Sequence, residues 1–174
     1  MAYPTSYQLF QFGSDPFSFK FEDYEHRPAF TVEKVAKDPN LIVKISRRDE
    51  WALQHPGIMG PRNAYLYFGP SNCPGQLAYG NSEPTAMSLY LQKKKGSSNS
   101  RYFFAQSGRE FKWKILSQRR MECHDARNLI AVWEVVEADA GYTAQITLSN
   151  AGLGLVTEVL TTLTLNLMSR QLYW

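Results

Sequence analysis

Apolar and polar residues alternate along most of this chain with a period of two. Phe17, Phe19 and Phe21 are interleaved with Ser18, Lys20 and Glu22, and Met87, Leu89 and Leu91 with Ser88, Tyr90 and Gln92. Successive side chains of a strand point to opposite faces, so this alternation predicts strands with one buried face. The same reading applies to Phe30 to Val35, Leu41 to Ser46, Ala64 to Phe68, Tyr102 to Gln106, Glu110 to Leu116, Arg120 to His124, Leu129 to Val136 and Tyr142 to Leu148. About ten strands at close spacing, with no long amphipathic helices to make crossovers, favour an antiparallel sandwich or barrel. Turn residues punctuate the runs at Gly13 to Pro16, Ser107-Gly108, Asp125 to Asn128 and Asp139 to Gly141, with a longer loop from His55 to Pro61.

The pattern changes at the C-terminal end, from Thr157 to Trp174, where apolar residues follow a helical period. Val159, Leu160, Leu163, Leu167 and Trp174 share one wide arc, Leu165, Met168 and Leu172 a second, and no charge falls between Val159 and Ser169. Glu158, Thr162, Asn166, Ser169 and Arg170 form the remaining polar stripe, with Glu158 placed to cap or pair in the first turn and Arg170 in the last. A helix apolar over most of its surface is a membrane span or the centre of a core. Eighteen residues reach only ~27 Å, the lower limit for a bilayer, and the polar stripe does not suit lipid on all sides. The core reading is therefore preferred, with membrane insertion and docking to a partner as alternatives. The Gly152-Leu153-Gly154 stretch reads as the turn before this helix.

A mainly β chain closed by one apolar helix needs somewhere to bury that helix. A closed or nearly closed antiparallel β-barrel with the helix through its centre provides it, because inward side chains then meet the helix all round. No stretch reads as an interdomain linker or a repeat, so residues 1–174 are expected to form a single domain.

Three stretches carry a resemblance. They are Gly108-Arg109-Glu110-Phe111-Lys112-Trp113-Lys114, Leu129-Ile130-Ala131-Val132-Trp133-Glu134 and Val156-Thr157-Glu158-Val159-Leu160-Thr161-Thr162-Leu163. With the apolar helix at the C-terminal end, the chain resembles the tubby C-terminal-like superfamily, which includes tubby proteins, plant LURP-one-related proteins and phospholipid scramblases. The local wording is most similar to a group of uncharacterised basidiomycete fungal domains. The resemblance covers about the last seventy residues in wording and the first hundred only in strand pattern, so it speaks to fold before function. Its implications are a barrel around a helix and, by analogy with tubby domains and scramblases, contact with phosphoinositides or membranes.

Composition narrows the function classes. An apolar share of 44% excludes a disordered chain, and a net charge of +3 does not announce a nucleic-acid binder, which is not the expected partner. Cys73 and Cys123 are the two cysteines; Tyr3, Leu9, Phe10 and Phe12 are interrupted by Pro, Ser and Gln and so do not make a secretory leader. An intracellular address, cytoplasmic or at the membrane periphery, with free thiols is the expectation.

Candidate chemistry is sparse. Lys93, Lys94 and Lys95 lead into a Gly/Ser-rich hairpin tip ending at Arg101, and Lys112 and Lys114 project from one face of a strand whose other face holds Phe111, Trp113 and Ile115. Those six cations are the candidate ligand-binding residues, for anionic lipid or another polyanion; a solvated loop whose lysines discourage edge pairing is the plain alternative. Tyr65, Tyr67, Phe68, Tyr79, Tyr90, Tyr102, Phe103 and Phe104 would place about half of their rings outward by alternation. Cys123-His124-Asp125 gathers a nucleophile, a base and an acid, but neighbours on a strand face opposite ways, so Cys123 is expected to pack inward with Met121. His26 and His55 lack metal-ligand spacing with either cysteine, and neither a P-loop nor a Gly-x-Ser-x-Gly elbow is present. No cofactor is expected, and a helix filling the barrel would move function to the outer surface and loops. The expected function is a non-enzymatic binding module attached peripherally to anionic membranes. A protein-interaction module without lipid affinity and a scramblase-like membrane protein are the alternatives.

Overall fold

The alternating runs fold as strands because every second side chain finds the same apolar interior. In the computed structural model, which describes residues 6–174, twelve strands form one antiparallel sheet: β1 (Tyr7–Phe12), β2 (Phe19–Glu22), β3 (Pro28–Ala36), β4 (Ile42–Arg47), β5 (Asn63–Tyr67), β6 (Gln76–Tyr79), β7 (Thr85–Ala86), β8 (Ser100–Phe104), β9 (Glu110–Ser117), β10 (Arg120–His124), β11 (Leu129–Val135) and β12 (Ala144–Leu148). Tyr3 lies outside the described residues. The order is β7-β6-β5-β4-β3-β2-β1-β12-β11-β10-β9-β8, a meander whose one non-sequential neighbour pair is β1 beside β12, with Leu9 opposite Ile146. Leu9, Phe21, Phe30, Ile45, Leu66, Leu77, Trp113, Met121 and Ile146 are fully buried on its inner face.

The sheet is not closed by hydrogen bonds, because the edge strands β7 and β8 do not pair. Between them runs a 3-10 turn, Met87–Tyr90, where alternation predicts a strand. Met87 and Leu91, at the two ends of the turn, are buried while Leu89 between them is 48% exposed, so burial does not follow period two. Gln92 then exchanges both backbone hydrogen bonds with Tyr102, at 3.1 and 2.7 Å, so this segment lies against β8.

Strands β1 and β6 and the two-residue β7 add to those expected. In β1 the alternation is masked by Gln11, which faces inward: its Oε1 accepts from Trp133 Nε1 at 2.9 Å and its Nε2 donates to the Gly13 carbonyl at 3.1 Å. A polar residue can occupy a core position when its hydrogen bonds are met there.

Among the described residues there are three α-helices: α1 (Asp49–Ala52), α2 (Asn150–Gly154) and α3 (Val156–Leu172). The expected turn at Gly152 is thus a short helix, capped by Ser149, whose Oγ accepts from the Gly152 N–H at 3.1 Å. Gly152 lies so close to the Ile130 carbonyl that no Cβ fits. Thirteen of the seventeen residues of α3 are buried, including its polar stripe from Glu158 to Ser169. The Thr162 hydroxyl lies 2.8 Å from the Glu158 carbonyl and accepts from Trp113 Nε1, also at 2.8 Å; Thr164 Oγ1 donates to the Leu160 carbonyl and Asn166 Nδ2 to the Thr162 carbonyl. Turning polar groups back on the helix's own backbone lets a threonine-rich helix sit among apolar side chains. Among the described residues no helix is long and apolar enough to cross a membrane.

At its N-terminal end α3 meets the β8–β9 turn, where Glu158 Oε1 accepts from the Gln106 N–H at 2.7 Å. At its C-terminal end Arg170 donates to the Gln118 carbonyl in the β9–β10 turn at 2.8 Å. Trp174, just beyond, packs on Phe68 with ring centroids 5.8 Å apart.

Candidate functional site

Register decides which of the six candidate cations share a surface. Across β8, β9 and β10, Tyr102, Lys112 and His124 stand in one row, and Ser100, Lys114 and Glu122 in the next. All of these belong to the outer face, because the alternate residues Phe111, Trp113, Met121 and Cys123 are buried. Lys112 and Lys114 therefore project together, as the alternation predicts.

Lys93, Lys94 and Lys95 are exposed on the loop that leads from the Gln92–Tyr102 pair, at the sheet edge, into β8. Lys94 is engaged: its Nζ sits 2.6 Å from Glu110 Oε1 and 4.3 Å above the Tyr102 ring, and the Glu110 hydrogen bond raises its pKa. Among the described residues Lys93, Lys95, Lys112 and Lys114 make no ion pair. Phe104, 52% exposed, and Leu116, 45% exposed, flank them on β8 and β9.

Arg101 does not belong to this surface. It pairs in register with Trp113, an inward position, and its guanidinium donates to the Leu91 carbonyl and the Trp174 carbonyl, each at 3.0 Å. Burial lowers its pKa. Arg101 ties the segment beside the sheet edge to the residue beyond α3, and its phase was readable from Phe103 two positions along.

The Cys123-His124-Asp125 triplet separates as the strand geometry predicts. Cys123 is fully buried with Met121, and burial pushes its thiol well above the usual range. His124 Nε2 lies 3.1 Å from Glu122 Oε1 on the opposite face; this hydrogen bond, with Arg120 beside it, holds the Glu122 carboxyl below its ordinary value. Asp125 accepts backbone N–H bonds from Arg127 and Asn128 and pairs with Arg109 at 3.0 Å. Arg120 bridges Glu122 and Glu134, so one cation is shared between two carboxylates on this part of the face. Among the described residues no three His, Cys, Asp or Glu side chains gather as a metal ion would require.

Of the eight aromatic residues singled out by alternation, Phe68, Tyr79 and Phe103 are buried, Tyr65, Tyr90 and Tyr102 half-buried, and Tyr67 and Phe104 exposed.

Two clefts at the C-terminal end of α3 were not anticipated. The larger, about 790 Å³, is polar and includes Lys34, Lys37, Asp15 and Asn72 in its walls. The smaller, about 290 Å³, lies between Trp133, Val135, Leu167 and Arg170, and Ser14 and Gln171 line both. Both belong to one end of the sheet rather than its interior, where the helix fills the space. The sequence offered one signal for the smaller cleft: Arg170 has Asn166 and Leu167 at the preceding helical neighbour positions, so no acid on its own helix can pair with it.

No family model matches this chain, and no curated protein matches it. Among solved structures, the X-ray structure of a protein from Arabidopsis thaliana is similar, with a TM-score of 0.49 and 8% sequence identity over 97% of this chain and 93% of that one.

Proposed function

We propose that the chain is a tubby-like barrel wrapped around α3, working as a non-enzymatic module that attaches peripherally to anionic phospholipid or phosphoinositide membranes. The observation that carries the membrane reading is that Lys112 and Lys114 share an outer face with the exposed side chains of Phe104 and Leu116 and, like Lys93 and Lys95 on the exposed loop leading to β8, make no ion pair among the described residues. Each cation near an anionic surface contributes about 1 kcal/mol, so four together supply roughly three orders of magnitude in affinity. Exposed apolar side chains beside them suit the headgroup boundary. The barrel reading is supported by the burial of α3 on every side and by the Gln92–Tyr102 pair, which brings the segment leading from β7 against β8. The non-enzymatic reading is supported by the burial of Cys123 and the opposed facing of His124.

The test is co-sedimentation with vesicles of neutral lipid and of neutral lipid plus phosphoinositide, at low and high salt. Wild-type protein is expected to pellet only with the anionic vesicles and only at low salt, since screening weakens attraction between exposed charges. Replacing Lys93, Lys95, Lys112 and Lys114 with Ala should abolish pelleting, whereas the double variant Lys94→Ala, Glu110→Ala, which removes a pair of opposite charges and leaves the net charge unchanged, should change it far less. Absence of wild-type binding at low salt would overturn the lipid reading and leave a protein-interaction module. Salt-resistant binding indifferent to the lysines would point to insertion of α3, as in a scramblase-like protein.

A further inference from the structure

The smaller cleft holds a charge without a counter-charge. Arg170, half-buried in the last turn of α3, makes no ion pair among the described residues, and no Asp or Glu lines the cleft it borders. Its protein contacts are the Gln118 carbonyl at 2.8 Å, the Met121 sulfur at 3.7 Å and the face of Trp133 at 5.8 Å. These occupy the two terminal nitrogens once each, while a guanidinium carries five N–H donors. The helix C-terminus and the Trp133 face attract a cation, which explains why Arg170 tolerates the position. They bring no full negative charge, and a partly desolvated charge is costly until one does.

The rest of the cleft combines apolar and aromatic side chains with uncharged polar ones. Trp133, Val135 and Leu167 supply the apolar wall; Gln118, Gln171 and Thr143 supply uncharged hydrogen-bonding groups. A concave apolar site with few convergent polar groups, at the mouth of a β-sheet structure, is the usual form of a small-molecule site.

We propose that this cleft binds a small amphipathic carboxylate, its carboxyl group taken by Arg170 and its apolar body lying against Trp133, Val135 and Leu167. One guanidinium matches one carboxylate in charge and in its two-pronged geometry. A doubly charged phosphate would need a second cation, and no Lys or Arg besides Arg170 lines this cleft; Lys34 and Lys37 line the neighbouring one.

The test uses octanoate, phenylbutanoate and naphthoate as probes, each against its primary alcohol, by titration calorimetry on the full chain. At least one carboxylate is expected to bind about tenfold or more tighter than its alcohol, the factor that 1.4 kcal/mol provides. Gln171→Glu, at an exposed rim position, puts a carboxylate into the lining of the same cleft; by like-charge repulsion it is expected to weaken carboxylate binding about tenfold or more with the alcohol's affinity unchanged. The proposal is overturned if none of the three carboxylates binds at millimolar concentration, if the alcohols bind equally well, or if Gln171→Glu leaves carboxylate affinity unchanged. Vesicle binding through the lysine face is a separate property, so either result stands without the other.

Discussion

Single side chains carry much of the fold's specificity here, and Arg101 is the clearest case. One guanidinium answers two carbonyls from segments that no sheet ladder joins, at Leu91 and at Trp174. Arg101→Leu leaves both acceptors without their donor, so it is expected to destabilise the protein by about 1–3 kcal/mol in urea unfolding. Lys93→Ala and Lys95→Ala, on the exposed loop, should stay within about 0.5 kcal/mol of wild type. Glu158 makes a different demand. Burial raises its pKa above the ordinary value of a glutamate carboxyl, while the Gln106 N–H works in the opposite sense. Between that value and the raised folded one the native state holds a proton that the unfolded chain has released, so stability falls as pH rises through the window. Glu158→Gln should flatten this dependence and raise stability relative to wild type at neutral pH. Glu122 and Asp125 have lowered values, so their contributions are lost only as pH falls toward strong acid, outside the Glu158 window. Urea midpoints of wild type and Glu158→Gln across pH 4 to 8 check the sign.

At the scale of elements, α3 is held by packing and by the return of its polar groups to its own backbone. Thr157 is an exception, because its Oγ1 is buried without a hydrogen-bond partner. Thr157→Val removes that hydroxyl at nearly constant shape and is expected to stabilise the protein by up to about 1 kcal/mol, read as a higher urea midpoint at unchanged slope. The helix was legible because its apolar arcs are too wide for a surface helix, and nine strands were legible by period two. In the case of β1, which sequence missed, the deciding partner is remote. Gln11 reads as an outward residue until Trp133, far along the chain, meets its amide. Met87, Leu89 and Leu91 satisfy a period of two, yet the segment forms a 3-10 turn between two sheet edges that do not pair. The candidate surface divides in the same way. The shared facing of Lys112 and Lys114 is local and readable, whereas the pairing of Lys94 with Glu110 and the placing of Lys114 beside Glu122 depend on register between strands. Arg170 beside Trp133 is a tertiary juxtaposition that no spacing announces.

The whole molecule depends on pairings that join distant parts of the chain. β1 stands between β2 and β12, so the strands before the basic loop and those after it are parts of one sheet only through the pairing of Tyr7–Phe12 with Ala144–Leu148. The inner face of that sheet is covered by a helix that comes last in the sequence. Leu9, Phe30, Ile45, Leu66, Trp113, Met121 and Ile146 come from seven strands and belong to one buried cluster with Val156, Val159, Leu160, Leu163, Leu165 and Met168 of α3. Burying six such helix side chains is worth up to about 9–18 kcal/mol at 1.5–3 kcal/mol each, an upper bound that is comparable with the net stability of a whole domain. Without α3, the exposed inner face would far exceed the few hundred Å² of contiguous apolar surface that soluble monomers carry. A chain ended before Val156 is therefore expected to be insoluble, or soluble without a cooperative thermal transition and strongly bound by an apolar dye. Leu163→Asp in the full chain should behave similarly, because an unpaired carboxylate in the core cannot be matched by any neighbour there. In the intact protein, amides in the middle of α3 should exchange with solvent only through global unfolding, at the same rate as those of β1 and β12. A soluble truncated chain with a cooperative melt, or α3 amides that exchange faster than those of the sheet, would show that the helix is an accessory to the sheet rather than its core.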